Sequence, residues 1–379
     1  MKLRRTLIIA FAVLSALAVW DMVASGPDRF ENRMFVYVEF SDGIGRVPAR
    51  PPDLQETRSL APAALEGSDG AGAARTVTLD PMMGWLRVGP SAGGEVTAEY
   101  TVRVWTDGSR GAAERAADVA RAVTARWLRE GESLRLALDR PARLPGGVVQ
   151  VWVDVQLGLP EGVELVASHT GDVVVEQVSG GVRLENIAGR VALRQVQGPV
   201  AVTGRGVDLS ASQLQGPLQL DLRGGRAEIE QVEGTVTGAM HYGALKLEDV
   251  RGDVDLTAGQ GLAEVRTVRG DVTLRGGYGE TRVSGVAGHV SVDQRFGSAR
   301  VELTGPADLA IALGELEVTL ARTGGWTVDA VTEMGDVSTA LPLAREQSGA
   351  SGRVFGTVGD GSHPLKIQVN RATARLYRR

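Results

Sequence analysis

From Gly180 to Gly314 a glycine returns almost every nine residues, at 180, 189, 198, 206, 216, 225, 234, 243, 252, 261, 270, 279, 288, 297, 305 and 314. Few architectures accept so short a period. Each unit must present equivalent faces to the units before and after it, which is the condition for a stacked solenoid. Two kinds of nine-residue arm alternate. One carries an aliphatic residue two places before its glycine: Val178, Val196, Leu214, Val232, Val250, Val268 and Val286, evenly spaced at two arms. The other often carries an aromatic residue directly before its glycine, as at Tyr242, Tyr278 and Phe296, with Gln260 interrupting the series. Two unlike halves therefore make one repeat, of about 18 residues per coil.

Within an arm the second and fourth positions are apolar and the third and fifth mostly polar. Val254 and Leu256, Ala263 and Val265, and Val272 and Leu274 follow this rule. Such alternation describes a short strand with one face inward. Glycine closes each arm, where a turn calls for positive φ. Coils stacked about 4.8 Å apart would pair their strands in parallel and bury one aliphatic column, the seven residues from Val178 to Val286. About nine coils would make a rod roughly 45 Å long. The expected fold is all-β, a parallel β-solenoid (β-helix), preceded by a small α+β cap with one helix.

The outward positions differ between the two arms. One runs Glu228, Lys246, Glu264, Arg282, so cross-coil ion pairs worth about 0.2–1 kcal/mol each are expected. The other runs Gln219, Thr237, Asp255, Thr273, Ser291. That polar, mostly uncharged column is the candidate surface-binding face and suits sugars; a solvated sheet face is the plainer reading.

The remainder of the chain divides by composition. Lys2, Arg4 and Arg5 precede an uncharged run from Leu7 to Trp20, and Val23-Ala24-Ser25 offers small residues for cleavage. Residues 1–25 therefore read as a signal peptide, or as an N-terminal anchor using residues 7–24. Residues 26–75, with "RVPARPPDLQ" and "EGSDGAGAAR", read as a flexible linker. Residues 76–160 read as a β-rich cap. Val96, Ala98, Tyr100, Val102 and Val104 alternate as a strand, as do Val149, Val151, Val153, Val155 and Leu157. A helix is expected near 109–128, with Ser109 as N-cap and Ala116, Val119, Ala120, Val123 and Trp127 on its inner face. The solenoid is expected over 161–345 and C-terminal capping strands over 346–379.

Several chemistries are excluded or unsupported. There is no Cys, so disulfides and thiolate sites are absent. The net charge is −5 with scattered Lys and Arg, so there is no footprint for nucleic acid. The interval from His241 to His289 is not a whole number of repeats, so those two do not stack, and the four histidines do not read as a metal cluster. "GGYGETRVS" at 276–284 matches the glycines of the calcium-binding nonapeptide but places Thr281 at the ligand position. "VRGDV" occurs at 250–254 and again, one repeat later, at 268–272. Its Arg-Gly-Asp straddles the turn that the solenoid needs in any case, so it reads as turn chemistry rather than a receptor signal. Asp253 and Asp271 are the nearest approach to a paired-carboxylate enzyme site, and as solvated turn residues they read as structural. Nothing calls for a cofactor.

The stretch "LPEGVELVASHTGDVVVEQVSGGVRLENIAGRVAL" resembles the entry into a bacterial putative adhesin domain. Runs such as "HYGALKLEDVRGDV" and the closing "GTVGDGSHPLKIQVNRATARLY" are similar to the same family, formerly a domain of unknown function. His289 and Pro306 depart from its Gly-Asp-Val motif. The resemblance, from Thr76 onward, implies an extracytoplasmic solenoid, secreted or tethered to the cell membrane. The function expected is a noncatalytic adhesin or surface-binding module, with a cell-wall or surface glycan or an envelope protein as partner. A membrane-anchored envelope-stress accessory protein is the second reading, and a polysaccharide-active enzyme using Asp253 and Asp271 the third.

Overall fold

The computed structural model describes residues 51–64 and 75–379. The segment expected as signal peptide or anchor, and most of the expected linker, lie outside the described residues. In chain order the elements begin with β1 (Leu54–Ser59), β2 (Ala63–Ala64), β3 (Thr76–Pro90), β4 (Glu95–Thr106), α1 (Ala112–Ala122), β5 (Thr124–Glu130), β6 (Ser133–Asp139) and β7 (Val148–Leu159). The long strands follow: β8 (Glu164–Glu176), β9 (Val182–Arg194), β10 (Val200–Gln215), β11 (Leu218–Glu233), β12 (Val236–Val250), β13 (Val254–Val268), β14 (Val272–Val286), β15 (Val290–Leu303) and β16 (Ala307–Leu320). The chain ends with β17 (Trp326–Glu333), β18 (Asp336–Thr339), β19 (Ala344–Ser348), β20 (Ser351–Val358), β21 (His363–Asn370) and β22 (Ala372–Arg378).

Strands β8 to β16 pair in parallel, each with the next. From Val182 the partners run Val200, Leu218, Val236, Val254, Val272 and Val290, every step one full repeat. A register shift after Val283 shortens the next step to Val290–Ala307. The burial pattern explains how one strand serves as two arms. In β10, Val200, Val202 and Gly204 are buried, and the set resumes at Val207, Leu209 and Ala211. A straight strand would carry the second set to the opposite face. The extra residue, Gly206 with φ 61°, turns the corner so that both arms face one core.

The corner is tight because successive coils meet backbone to backbone. A Cβ on Gly261 would sit 1.9 Å from the Gly243 carbonyl oxygen, at φ 121°. Three buried polar side chains serve the same corner from inside. His169 Nε2 lies 3.1 Å from the Gly84 carbonyl. Asn186 donates to the Gly171 and Ala188 carbonyls, and Gln294 to those of Gly279 and Phe296. Each satisfies acceptors that the bent strand leaves over, which is why polar groups are stable there. At the outside of the corner Tyr242, Gln260, Tyr278, Phe296 and Leu313 are register partners, with Tyr278 and Phe296 stacked at 4.5 Å.

The aliphatic column from Val178 to Val286 is buried throughout, at 0–3% exposure. It belongs to a core that continues into the strands at both ends.

Both ends of the stack differ from the reading above. Strand β3 is itself a coil, pairing with β8 from Thr76–Glu164 to Val88–Val175. The stack therefore begins at residue 76 rather than 161. Residues 91–159 are inserted between its first two coils, and β6 and β7 pair with the two halves of β3. Within that insertion the helix is shorter than 109–128. Gly111, in the left-handed region, is the N-cap, and the Ser109 hydroxyl accepts from Arg115 instead of capping, while its carbonyl accepts the Ala112 N–H. After Val123 the chain is extended, and Trp127 sits on β5 opposite Leu136, partly buried, rather than on the helix. Pairing with β6 outweighs helical propensity over 124–130. Val149 faces solvent at 62%, because the ladder shifts register beside it. Part of the expected linker is also structured. Strand β1 pairs antiparallel with β4, and its Arg58 donates to the carbonyls of Ala120 and Val123 at the end of α1.

At the other end, residues 363–378 do not cap the stack. Strand β21 lies between β16 and β17, and β22 between β16 and β18. The chain leaves a gap one coil high after Leu320 and fills it with its own C-terminal strands. The antiparallel strands β20 and β19 finish that end. Among the described residues no helix is long and apolar enough to cross a membrane.

Candidate functional site

The column nominated from sequence is continuous. Gln219, Thr237, Asp255, Thr273 and Ser291 are successive register partners. Asp255 is occupied by an ion pair with Arg275, 2.5 Å away, and none of the five lines the groove described below. On the other arm Glu228, Lys246, Glu264 and Arg282 are also partners. Their ion pairs run along the strand instead of between coils: Lys246 to Glu248 at 3.2 Å, Arg282 to Glu280 at 2.9 Å, Arg226 to Glu228 at 3.6 Å. Residues two apart share a face, and these long side chains find an opposite charge there.

The Arg-Gly-Asp turns are used by the fold. Asp253 Oδ1 accepts the backbone N–H of Asp271 at 2.9 Å, and Asp271 Oδ1 accepts that of His289 at 2.7 Å. Arg251 is ion-paired with Glu233 of the preceding coil. A Cβ at Gly252 would meet the Gly234 carbonyl oxygen at 2.4 Å. Among the described residues no group of three or more His, Asp or Glu is placed to hold a metal ion. His169 is buried, His241 lies 3.3 Å from Asp221, His289 lies 3.1 Å from Asp308, and His363 packs on Trp326.

The aliphatic column stands out in the sequence, and the polar residues beside it do not. The residue before each column member is Gln177, Gln195, Gln213 and Gln231, then Asp249, Thr267 and Gly285. All seven have positive φ, between 53° and 66°. Two residues further on run Gln197, Gln215, Glu233 and Arg251. Together these side chains line an open groove of about 690 Å³ along the turn edge, extending to Pro90 and Glu161 at one end and to Asp249 at the other. The six glutamines are exposed. The backbone beneath them is paired: Gln177 N–H with the Arg194 carbonyl at 2.9 Å, Gln195 N–H with Ser212 at 3.1 Å, Gln197 N–H with Val178 at 2.7 Å. Their side-chain amides have no hydrogen-bond partner among the described residues. Among the described residues that line it, the carboxylates of Glu161, Glu233 and Asp249 stand against the guanidinium of Arg251. The signal was present as "EQV", "RQV", "SQL" and "EQV", recurring once per repeat.

A second, more apolar cavity of about 450 Å³ lies in the inserted region, among Met82, Met83, Leu138, Leu144 and Val151.

Among the solved structures to which the chain is similar, one is a putative cell adhesion protein from Clostridium sporogenes (TM-score 0.21, 10% identity, covering 87% of this chain and 100% of that one). Another is a putative lipid binding protein from Parabacteroides distasonis (TM-score 0.33, 11% identity, 86% and 98%). A third is a putative adhesin from Bacteroides fragilis (TM-score 0.24, 10% identity, 87% and 99%). At these identities and TM-scores the similarity assigns neither ligand nor role. No protein-family model matches the chain, and no curated protein matches it.

Proposed function

We propose that this chain is a noncatalytic, adhesin-like module that works outside the cytoplasm and holds its ligand in the glutamine-lined groove along one turn edge. The observation that carries this reading is the row of unpartnered amides on consecutive coils, beside a groove open to solvent. A repeating fold offers an extended ligand the same contact once per coil. The exported location rests on the charge and apolar pattern of residues 1–25. The noncatalytic reading is supported by Asp253 and Asp271, whose carboxylates hold the backbone of the following coil.

The test is retention of the full chain on immobilised cell-wall and cell-surface preparations, compared with a variant carrying Gln195→Gly and Gln213→Gly. Glycine suits the left-handed backbone, and the chain uses it at the equivalent Gly285, so the turn survives while the amides are removed. Retention by the parent and loss by the variant is the expected result. Equal retention would move the binding surface elsewhere.

A further inference from the structure

The ligand chemistry of the groove follows from what lines it, and rests on the groove being the binding site. We infer that its ligand is a linear, uncharged oligosaccharide lying along the stacking direction.

Four observations lead there. The first is backbone strain kept for the sake of a side chain. A left-handed conformation is unfavourable for a residue with a Cβ, which crowds the following carbonyl oxygen. Glycine removes that cost and is present at position 285, beyond the groove. Where the groove runs, four coils carry glutamine at that position instead.

The second is hydrogen-bonding capacity. Each amide offers two N–H donors and one acceptor oxygen, and a sugar hydroxyl both donates and accepts. Six such amides in two rows match a polyol without demanding any one orientation of its hydroxyls.

The third is charge. Glu161, Glu233 and Asp249 face the groove, and Arg251, the one cation lining it among the described residues, is already paired with Glu233. Uronate chains, phosphate polymers and nucleic acid would meet net negative charge. The apolar members Val178, Leu214 and Val232 are buried at 0–3%, so a lipid chain has little to land on. An extended peptide joining the sheet would need free backbone groups, and those of the turns are already bonded.

The fourth is length. From Gln177 to Asp249 the groove crosses four coil steps, about 19 Å at the spacing of parallel strands. A linear ligand of that length can meet an amide on each of the four coils it crosses.

The experiment is calorimetric titration of the full chain with neutral hexasaccharides of the glucose, mannose and N-acetylglucosamine series. A uronate hexasaccharide, a neutral extended peptide and phosphatidylglycerol vesicles serve as comparators. At least one neutral glycan is expected to bind with little dependence on salt. The Gln195→Gly, Gln213→Gly variant should bind it about 30-fold more weakly, as loss of two hydrogen bonds of about 1 kcal/mol each requires, at a melting temperature no lower than the parent's, since glycine relieves the left-handed strain. Glutamine-dependent binding of the uronate, the peptide or the vesicles would overturn the ligand class and leave the groove as the site. Glycan binding indifferent to both substitutions, or no binding of any probe, would overturn both.

Discussion

At the scale of single residues, the buried polar groups divide by what they bond. His169 is the instructive case. Its Nε2 faces a carbonyl oxygen, which can only accept, so Nε2 carries the proton and Nδ1 is bare. Burial disfavours the charged ring and lowers its pKa from 6.5 to about 4, against the weaker opposing pull of the Gly84 carbonyl and Asp172. The unfolded chain therefore binds a proton that the folded chain refuses. Stability from this residue is complete above pH 6.5 and declines as pH falls towards 4, by about 3 kcal/mol in all. His169→Gln should flatten that decline, since a glutamine amide can donate to the carbonyl as Gln294 does at its own corner. Urea unfolding of both proteins at several pH values between these limits measures it; parallel pH profiles would refute the assignment.

At the scale of the coil, the corner glycines are not equivalent. Gly261 and Gly206 lie at the same bend, both with positive φ, but Gly261 is in line with Gly243 and Gly225 whereas Gly206 stands one place earlier, opposite Gly224. A side chain at Gly261 collides with the backbone of the neighbouring coil, whereas nothing lies within 4 Å of one at Gly206. Gly206→Ala should therefore cost only the conformational term, about 1 kcal/mol. Gly261→Ala should cost more than about 3 kcal/mol, because the neighbour is main chain and cannot swing away. Denaturant midpoints for the two variants decide the point, and equal costs would show that coils separate more easily than their geometry implies. Contact between coils is also what makes Asp253 and Asp271 structural, each carboxylate replacing a missing partner for the next coil's amide.

At the scale of the molecule, stacking leaves two ends that need protection. The outermost strands are short and antiparallel and carry charge: Arg126, Arg129 and Glu130 on β5, and Arg345 and Glu346 on β19. Charged edges discourage pairing with another chain. The coil made by β21 and β22 is the more consequential device, since it is paired on both sides and buries Leu365, Ile367, Val369, Ala374 and Leu376. Removing residues 363–379 should unfold the region from β16 to β20 and expose Trp326, which is fully buried against His363. Protection from amide exchange should persist over β9 to β14, because stability in a stack passes only between neighbours. An unchanged Trp emission maximum in the truncated chain would contradict this.

Periodicity was enough to specify the repeating part: the long strands between positions 200 and 320, their inward residues, their glycine corners and the neighbour relations one repeat apart. Those features are local and periodic, so each coil restates them. The tertiary structure alone decided the ends and the groove. Thr76 pairs with Glu164, and Ala307 with Leu365, each partner several repeats further along the chain. Parallel pairing at such separations leaves no mark on either segment, since an inserted coil has the same alternation as a consecutive one. Gln177, Gln195, Gln213 and Gln231 could be read as periodic but not as a site. An exposed amide becomes a candidate contact only when the turn beneath it has taken up its own hydrogen bonds and lined the amides along one edge.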